Sequence, residues 1–355
     1  MTASRYTYAR MTQHSVLYRK YRPAAFDEVR DQDHIISVLK GAIKKDAIPH
    51  ALLFCGGRGT GKTTLARLFA AAIGTSSNDL YEMDAASNRG IDDVRELREA
   101  VHTLPYESKY KVYIIDEAHM LTKEAFNALL KTLEEPPDHV VFILATTEED
   151  KLLDTIKSRC QVFHFRQPSC AVLKTAVLDI AKKEKFKLTP DAAELIAIAG
   201  DGSFRDALGI LQKLIMSSGD DNAPVDEVAA IIGAPRTELL NQVVEALHTK
   251  DAEKGLVAVA NAAAALTDMK IFLRLLLERI RAVILLRNLP SRQEDILSHF
   301  SEEVAKRLLE LSKDPTSPLN SHLLLRLLDV ADETGRTDLK HLPLEIAIVD
   351  LCEEK

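Results

Sequence analysis

Ala51-Leu-Leu-Phe-Cys-Gly-Gly-Arg-Gly-Thr-Gly-Lys-Thr63 is the stretch on which the fold turns. Its first five residues form a short, continuous apolar run, the signature of a parallel strand buried on both faces. The next eight, Gly56 to Thr63, fit the pattern GxxxxGK[ST]. Beyond them Leu65, Leu68, Phe69 and Ala72 repeat at helical spacing, with Gly74 placed as the C-cap. Strand, glycine-rich loop and helix together are the context that a phosphate-binding loop requires. Glycines let backbone N–H groups wrap phosphates, and the helix N-terminus adds the positive end of its dipole. Read this way, Gly56, Arg58, Gly59, Thr60, Gly61, Lys62, Thr63 and Thr64 contact a nucleotide. Lys62 reaches the β- and γ-phosphates, and the Thr63 hydroxyl ligates magnesium. A glycine-rich turn that arose by chance is the alternative.

Moving outward, Lys111-Val-Tyr-Ile-Ile-Asp116-Glu117 is an apolar strand that ends in two acids. Asp116 sits where a carboxylate holds magnesium, directly or through water, and Glu117 can polarise an attacking water. A strand ending in Asp-Glu is commonly structural; following a P-loop by about fifty residues it points to catalysis. His119 next door suggests a helicase-type box, but no helicase motif follows, so it reads as a structural or capping histidine. Val140–Ala145 is a third buried strand, and Thr146-Thr147 follow it. A polar residue at that tip can hydrogen-bond the γ-phosphate or the attacking water, and a simple turn pair is the alternative. Between the strands lie amphipathic helices. Phe126, Leu129, Leu130 and Leu133 repeat at i, i+3, i+4 and i+7, and Glu134-Glu135-Pro136-Pro137 stops that helix. Strands alternating with helices predict a doubly wound α/β domain.

Ser158-Arg159-Cys160 ends a helix before a strand at Val162–Phe165. With no obvious acidic neighbour, Arg159 is either a finger into an adjacent subunit's ATP or a solvated or salt-bridged arginine, and spacing leaves the two readings open. After Pro168 strand signals cease. Thr189 and Pro190 read as N-cap and first residue of a helix. Ser203 caps another, in Gly202-Ser-Phe-Arg-Asp206, whose first turn carries Arg205 where it could meet a phosphate. From Pro235 onward the pattern is helical, as in Ile271–Leu286 and Leu323–Val330. The expected domains are 15–168 (α/β), 169–233 (small, helical) and 234–355 (larger, helical). Residues 1–14 are patternless and read as a disordered extension; Met11 resembles a more usual start.

Composition sets the outer limits. With 355 residues, 46% of them hydrophobic and 28% charged, the chain is globular and long enough for two or three domains. No apolar run approaches the roughly 20 residues of a membrane span, and there is no secretory h-region. Cys55, Cys160, Cys170 and Cys352 show no CxxC spacing, which argues for a reducing compartment and a cytoplasmic location. A net charge of -7 is not that of a protein gripping nucleic acid over its whole surface. There is no GxSxG elbow, defensible Ser-His-Asp set, metal spacing or polymerase-type carboxylate pair.

Four runs carry a family resemblance: Leu17-Tyr-Arg-Lys-Tyr-Arg-Pro23, Asp84-Ala-Ala-Ser-Asn-Arg-Gly-Ile-Asp92, Phe126-Asn-Ala-Leu-Leu-Lys-Thr-Leu-Glu-Glu-Pro-Pro137 and Ser158-Arg-Cys160. Together they resemble the gamma/tau subunits of bacterial DNA polymerase III, closely over about 17–233 and by helical character beyond. The resemblance implies an AAA+ fold: a P-loop parallel sheet, a small helical lid and an all-helical collar through which subunits assemble. It implies an ATP- and Mg2+-dependent motor in a five-subunit spiral that opens a sliding clamp and closes it on primed DNA, with delta and delta-prime subunits as partners. It makes Thr147 the sensor-1 position, Arg159 the trans-acting finger and Arg205 the sensor-2 arginine, and puts Arg22, Pro23 and Val29 near the adenine. Arg89 and Thr122 are candidate DNA-phosphate contacts, with a solvated surface role as the alternative.

Three departures stand out. Only Thr75–Asp79 occupy the place of the family's four-cysteine zinc module, so no zinc is expected. The family's Val-Gly-Gln reads Arg30-Asp31-Gln32, which loosens the adenine-pocket assignment. The chain ends at 355, before a tau-type tail, and so reads as a gamma-like form. Two rival functions remain. A non-hydrolysing stator of the delta-prime type is opposed by intact Lys62, Thr63, Asp116 and Glu117. A different AAA+ enzyme of recombination or repair is opposed by the 84–92 and 126–137 runs.

Overall fold

A computed structural model describes residues 16–87, 97–218, 222–297, 300 and 302–353. Arg89 and most of the 84–92 run lie outside the described residues, as does the extension 1–14. The chain divides into two compact units, Met1–Asn222 and Ala223–Lys355.

In the first unit, α1 (Asp33–Lys44), β1 (Ala51–Cys55), α2 (Lys62–Ala72), β2 (Leu80–Asp84), β3 (Lys111–Asp116), α3 (Lys123–Glu134), β4 (Val140–Thr146) and β5 (Gln161–His164) build the α/β part. The sheet is parallel, in the order β2-β3-β4-β1-β5. Side chains alternate across a strand, and β1 shows what this does. Leu52 and Phe54 enter one core with Ile35, Leu39, Leu65 and Phe69 of α1 and α2. Ala51, Leu53 and Cys55 enter the other, with Phe126, Leu129 and Leu133 of α3. Both faces are covered, so β1 and β4 are buried along their whole lengths. The edge strand β2 is half exposed and carries mixed polarity.

The ends of α2 obey local rules. Gly74 adopts φ +82, and the N–H groups of Gly74 and Thr75 return to the carbonyls of Ala71 and Ala70, at 3.1 and 3.0 Å. This is a Schellman closure, with Gly74 one residue past the cap at Ile73. The short link that follows is tied down by buried Asp79. Its carboxylate accepts the backbone N–H groups of Tyr106, Glu107 and Ser108 at 2.5, 3.0 and 2.8 Å. Burial opposes the charge, yet these donors hold the carboxyl well below the usual range.

Three helices complete this unit: α4 (Cys170–Lys183), α5 (Pro190–Ala199) and α6 (Phe204–Ser217). Thr189 and Ser203 cap α5 and α6 as their sequences predict, accepting N–H groups of Ala192 and Asp206. A preceding turn, Leu17–Lys20, docks on these helices. Leu17 N–H donates to Gln212 Oε1 at 2.9 Å, and Tyr21 Oη and Lys20 Nζ both donate to Glu184.

The second unit is helical throughout its described residues apart from its connections. It contains α7 (Val225–Ile232), α8 (Thr237–Thr249), α9 (Ala252–Ala264), α10 (Met269–Asn288), α11 (Glu302–Lys313), α12 (Ser321–Arg336) and α13 (Leu342–Glu353). Phe272, Leu273, Leu276, Ile280 and Val283 of α10 supply its central seam. Ile348 of α13 presses on Gly255 of α9, where a Cβ would lie 2.8 Å from its Cγ2. No helix among the described residues is long and apolar enough to cross a membrane.

Candidate functional site

The C-terminal ends of β1, β3 and β4 meet at one rim, because β4 lies between the other two. β1 delivers the loop Gly56–Gly61, β3 the pair Asp116-Glu117, and β4 Thr146-Thr147. Gly59 and Gly61 take φ values of +71 and +104, open chiefly to glycine. The helix α2 starts with no side-chain cap and no acid in its first turn. Its free N-terminus is therefore suited to an anion.

A cleft of about 1020 Å³ opens over this loop. Arg58, Gly59, Thr60, Gly61, Lys62, Thr63, Thr64, Asp116 and Glu117 line it from the α/β side. Arg22, Pro23 and Val29 line it from the N-terminal segment, and Arg205 from α6. Gly56 and Thr147 face an adjoining hollow of about 480 Å³ instead. Arg159 lines neither cleft.

Lys62 is buried, and its Nζ donates to the carbonyls of Gly56 and Gly57, both at 2.8 Å. Burial lowers its pKa, with Glu117 and Asp116 pulling the other way. The Thr63 hydroxyl donates to Asp116 Oδ2 at 2.8 Å, and Glu117 N–H donates to Asp116 Oδ1 at 3.1 Å. Hydroxyl and carboxylate thus converge as a hard, all-oxygen donor set that fits Mg2+.

Glu117 adopts the left-handed backbone conformation, φ +48, at a cost of about 1 kcal/mol for a non-glycine residue. Its side chain is held in return. Glu117 Oε2 accepts the Thr147 hydroxyl at 2.9 Å and the Thr147 N–H at 3.3 Å. His119 is neither exposed nor a cap. It sits 5% exposed, with Nδ1 3.0 Å from Thr146 Oγ1 and 3.4 Å from Glu117 Oε2, and Nε2 3.2 Å from Glu148. Its place in this network was not legible from the sequence, because Glu148 comes from a different strand end.

The lid reaches the loop directly. Phe204 N–H donates to the Gly59 carbonyl at 3.1 Å, and a Cβ at Gly59 would lie 2.0 Å from Ser203 Oγ. Arg205 stacks 5.6 Å from the ring of Tyr18. Tyr18 is a residue that sequence reasoning missed; its only signal was membership of the 17–23 run.

Arg159 has an acidic neighbour after all: its Nη2 meets Glu134 Oε1 at 2.5 Å, and its Nη1 donates to the Thr155 carbonyl at 2.9 Å. The end of α3 folds onto the turn Asp154–Lys157, a proximity that chain spacing does not reveal. Thr122 uses its hydroxyl to cap α3, accepting the Ala125 N–H at 3.2 Å. The altered Arg30-Asp31-Gln32 run is accommodated. Asp31 takes φ +61 in the place of the family's glycine, and buried Gln32 exchanges hydrogen bonds with the Arg166 backbone at 2.8 and 3.2 Å.

This sheet order, loop, acid pair and helical lid define an AAA+ P-loop fold. Solved structures of Thermotoga maritima RuvB, a Holliday junction branch migration motor, superpose with a TM-score of 0.51. They cover 72% of this chain and 87% of the RuvB chain at 21% identity, a likeness of fold. In sequence, the chain is 34% identical to the Bacillus subtilis DNA polymerase III subunit tau over 96% of its own length and 63% of the relative's. It is 36% identical to the Mycobacterium tuberculosis gamma/tau subunit, over 82% and 56%. For the Escherichia coli tau subunit the figures are 38%, 71% and 42%. The profile of the family described as "DNA polymerase III, delta subunit" matches residues 77–169. In sequence the chain is thus similar to gamma/tau subunits of DNA polymerase III, and it spans about 63% or less of these relatives' lengths.

Proposed function

We propose that this chain is an ATP-hydrolysing motor subunit of a clamp loader in the cytoplasm, placing a ring-shaped sliding clamp on primed DNA. The observation that carries this reading is the convergence at one cleft of Lys62, the Thr63–Asp116 pair and a Glu117 held by Thr147, with Arg205 entering from the lid. Backbone N–H groups of the loop and Lys62 bind the phosphates, and Arg22, Pro23 and Val29 receive the base. Thr63 and Asp116 would hold Mg2+, which would supply charge neutralisation at the phosphates when bound. Glu117 accepts a proton from the attacking water, oriented by Thr147. Because Arg205 rides on α6, nucleotide state biases the angle of lid to sheet. Arg159 acts in trans on a neighbour's ATP, and the domains divide at 168/169 and 233/234. The last of these is the collar that joins the chain to delta- and delta-prime-type subunits.

Steady-state ATP hydrolysis by the purified chain, alone and with partner subunits, clamp and primed DNA, tests this. Strong stimulation by clamp and primed DNA is expected. Hydrolysis indifferent to both points to another AAA+ function, and none in any mixture to a stator.

A further inference from the structure

The hollow beside the P-loop holds a second cluster that the nucleotide reading does not use. In the β1–β5 register Cys55 lies opposite His164, so both side chains leave the sheet on the same face. Glu149, just past the end of β4, turns into the same space. Cys55 Sγ, a Glu149 carboxylate oxygen and a His164 ring nitrogen all lie within 4.8 Å of one another. His164 Nδ1 is 3.3 Å from Glu149 Oε2. The His34 ring, bonded to the His164 carbonyl at 3.0 Å, steadies the strand end.

We propose that Cys55, Glu149 and His164 form a binding site for a thiophilic divalent cation of the Zn2+ class, distinct from the oxygen donors Thr63 and Asp116. One thiolate, one imidazole and one carboxylate are the donors that Zn2+ takes, at about 2.0–2.3 Å. In a tetrahedron of that size neighbouring donor atoms stand about 3.3–3.7 Å apart. The Glu149–His164 separation already fits. Contraction of at most about 1 Å closes the widest pair, and His164 is exposed enough to move. Mg2+ and Ca2+, which prefer hard oxygen donors, are poor matches for a sulfur ligand. Three protein ligands leave one position open to water, so the ion is exchangeable rather than a folding element. The thiol proton leaves as the metal binds. An ion here ties the last residue before the P-loop to the segment that follows Thr147.

The test is Co2+ titration of the full chain in excess Mg2+, followed by absorption spectroscopy, and then displacement by Zn2+. One equivalent of tetrahedral Co2+ with a thiolate charge-transfer band is expected, bleached by Zn2+. Cys55→Ser removes the band. His164→Ala, at an exposed ring that the fold tolerates, weakens binding by about tenfold or more. Cys352→Ala leaves the spectrum unchanged. Absence of a thiolate band from the wild-type chain, a band that survives Cys55→Ser, or unchanged Co2+ affinity in His164→Ala overturns the proposal. Neither readout requires ATP hydrolysis.

Discussion

The carboxylate of Asp79 gathers three backbone N–H groups where the link after α2 meets the loop before β3. An amide there supplies one oxygen and places an N–H donor against another donor. Asp79→Asn is therefore expected to destabilise the first unit by about 2 kcal/mol at neutral pH. Because the folded-state pKa is depressed, the contribution is complete above the ordinary carboxylate value of about 4 and fades as pH falls through the folded value. Thermal melts of wild-type and variant should thus begin to converge below about pH 4; a constant gap down to pH 3 would count against this role. Lys62, Thr63 and Asp116 were legible as residues because chemistry restricts what can stand at those spacings. Asp79 was not, since its partners lie 27 to 29 positions away and are main-chain groups that any residue supplies.

Among the elements, β1, β3 and β4 were readable because both faces of each are buried and the apolar run is unbroken. The edge strand β2, with Tyr81 and Glu82 exposed, lacks that run and gives no strand signal in the sequence. Helix α3 ends where Glu134 precedes two prolines, and this end holds Arg159. Both side chains of that pair are partly exposed, 33% and 46%, so the ion pair itself is worth under about 1 kcal/mol. A finger role and a bracing role therefore separate. Arg159→Ala should leave nucleotide affinity intact while lowering hydrolysis in the assembled loader by on the order of 10³-fold. Glu134→Gln should cost little in either. Equal losses of assembled activity in the two variants would reduce Arg159 to a strut.

Across the whole molecule, a net charge of -7 gave no hint of nucleic acid; only motifs pointed toward replication. The match to the Bacillus subtilis subunit runs over 96% of the chain, yet beyond about residue 233 the sequence offered only helical character, for a physical reason. The second unit is held by an apolar helical core, and such cores tolerate exchange of one aliphatic residue for another when volume is kept. The nucleotide cleft has no such latitude, because its loop geometry, hydroxyl, paired acids and lid arginine each have a fixed task. We propose that this cleft hydrolyses ATP through Glu117, whose own backbone is strained and whose carboxylate Thr147 holds. The most direct test is single-turnover hydrolysis by Glu117→Gln, with ATP affinity measured alongside. Near-normal ATP binding and a hydrolysis rate reduced by roughly 10²-fold or more are expected; binding and hydrolysis both at wild-type levels would exclude Glu117 from the reaction.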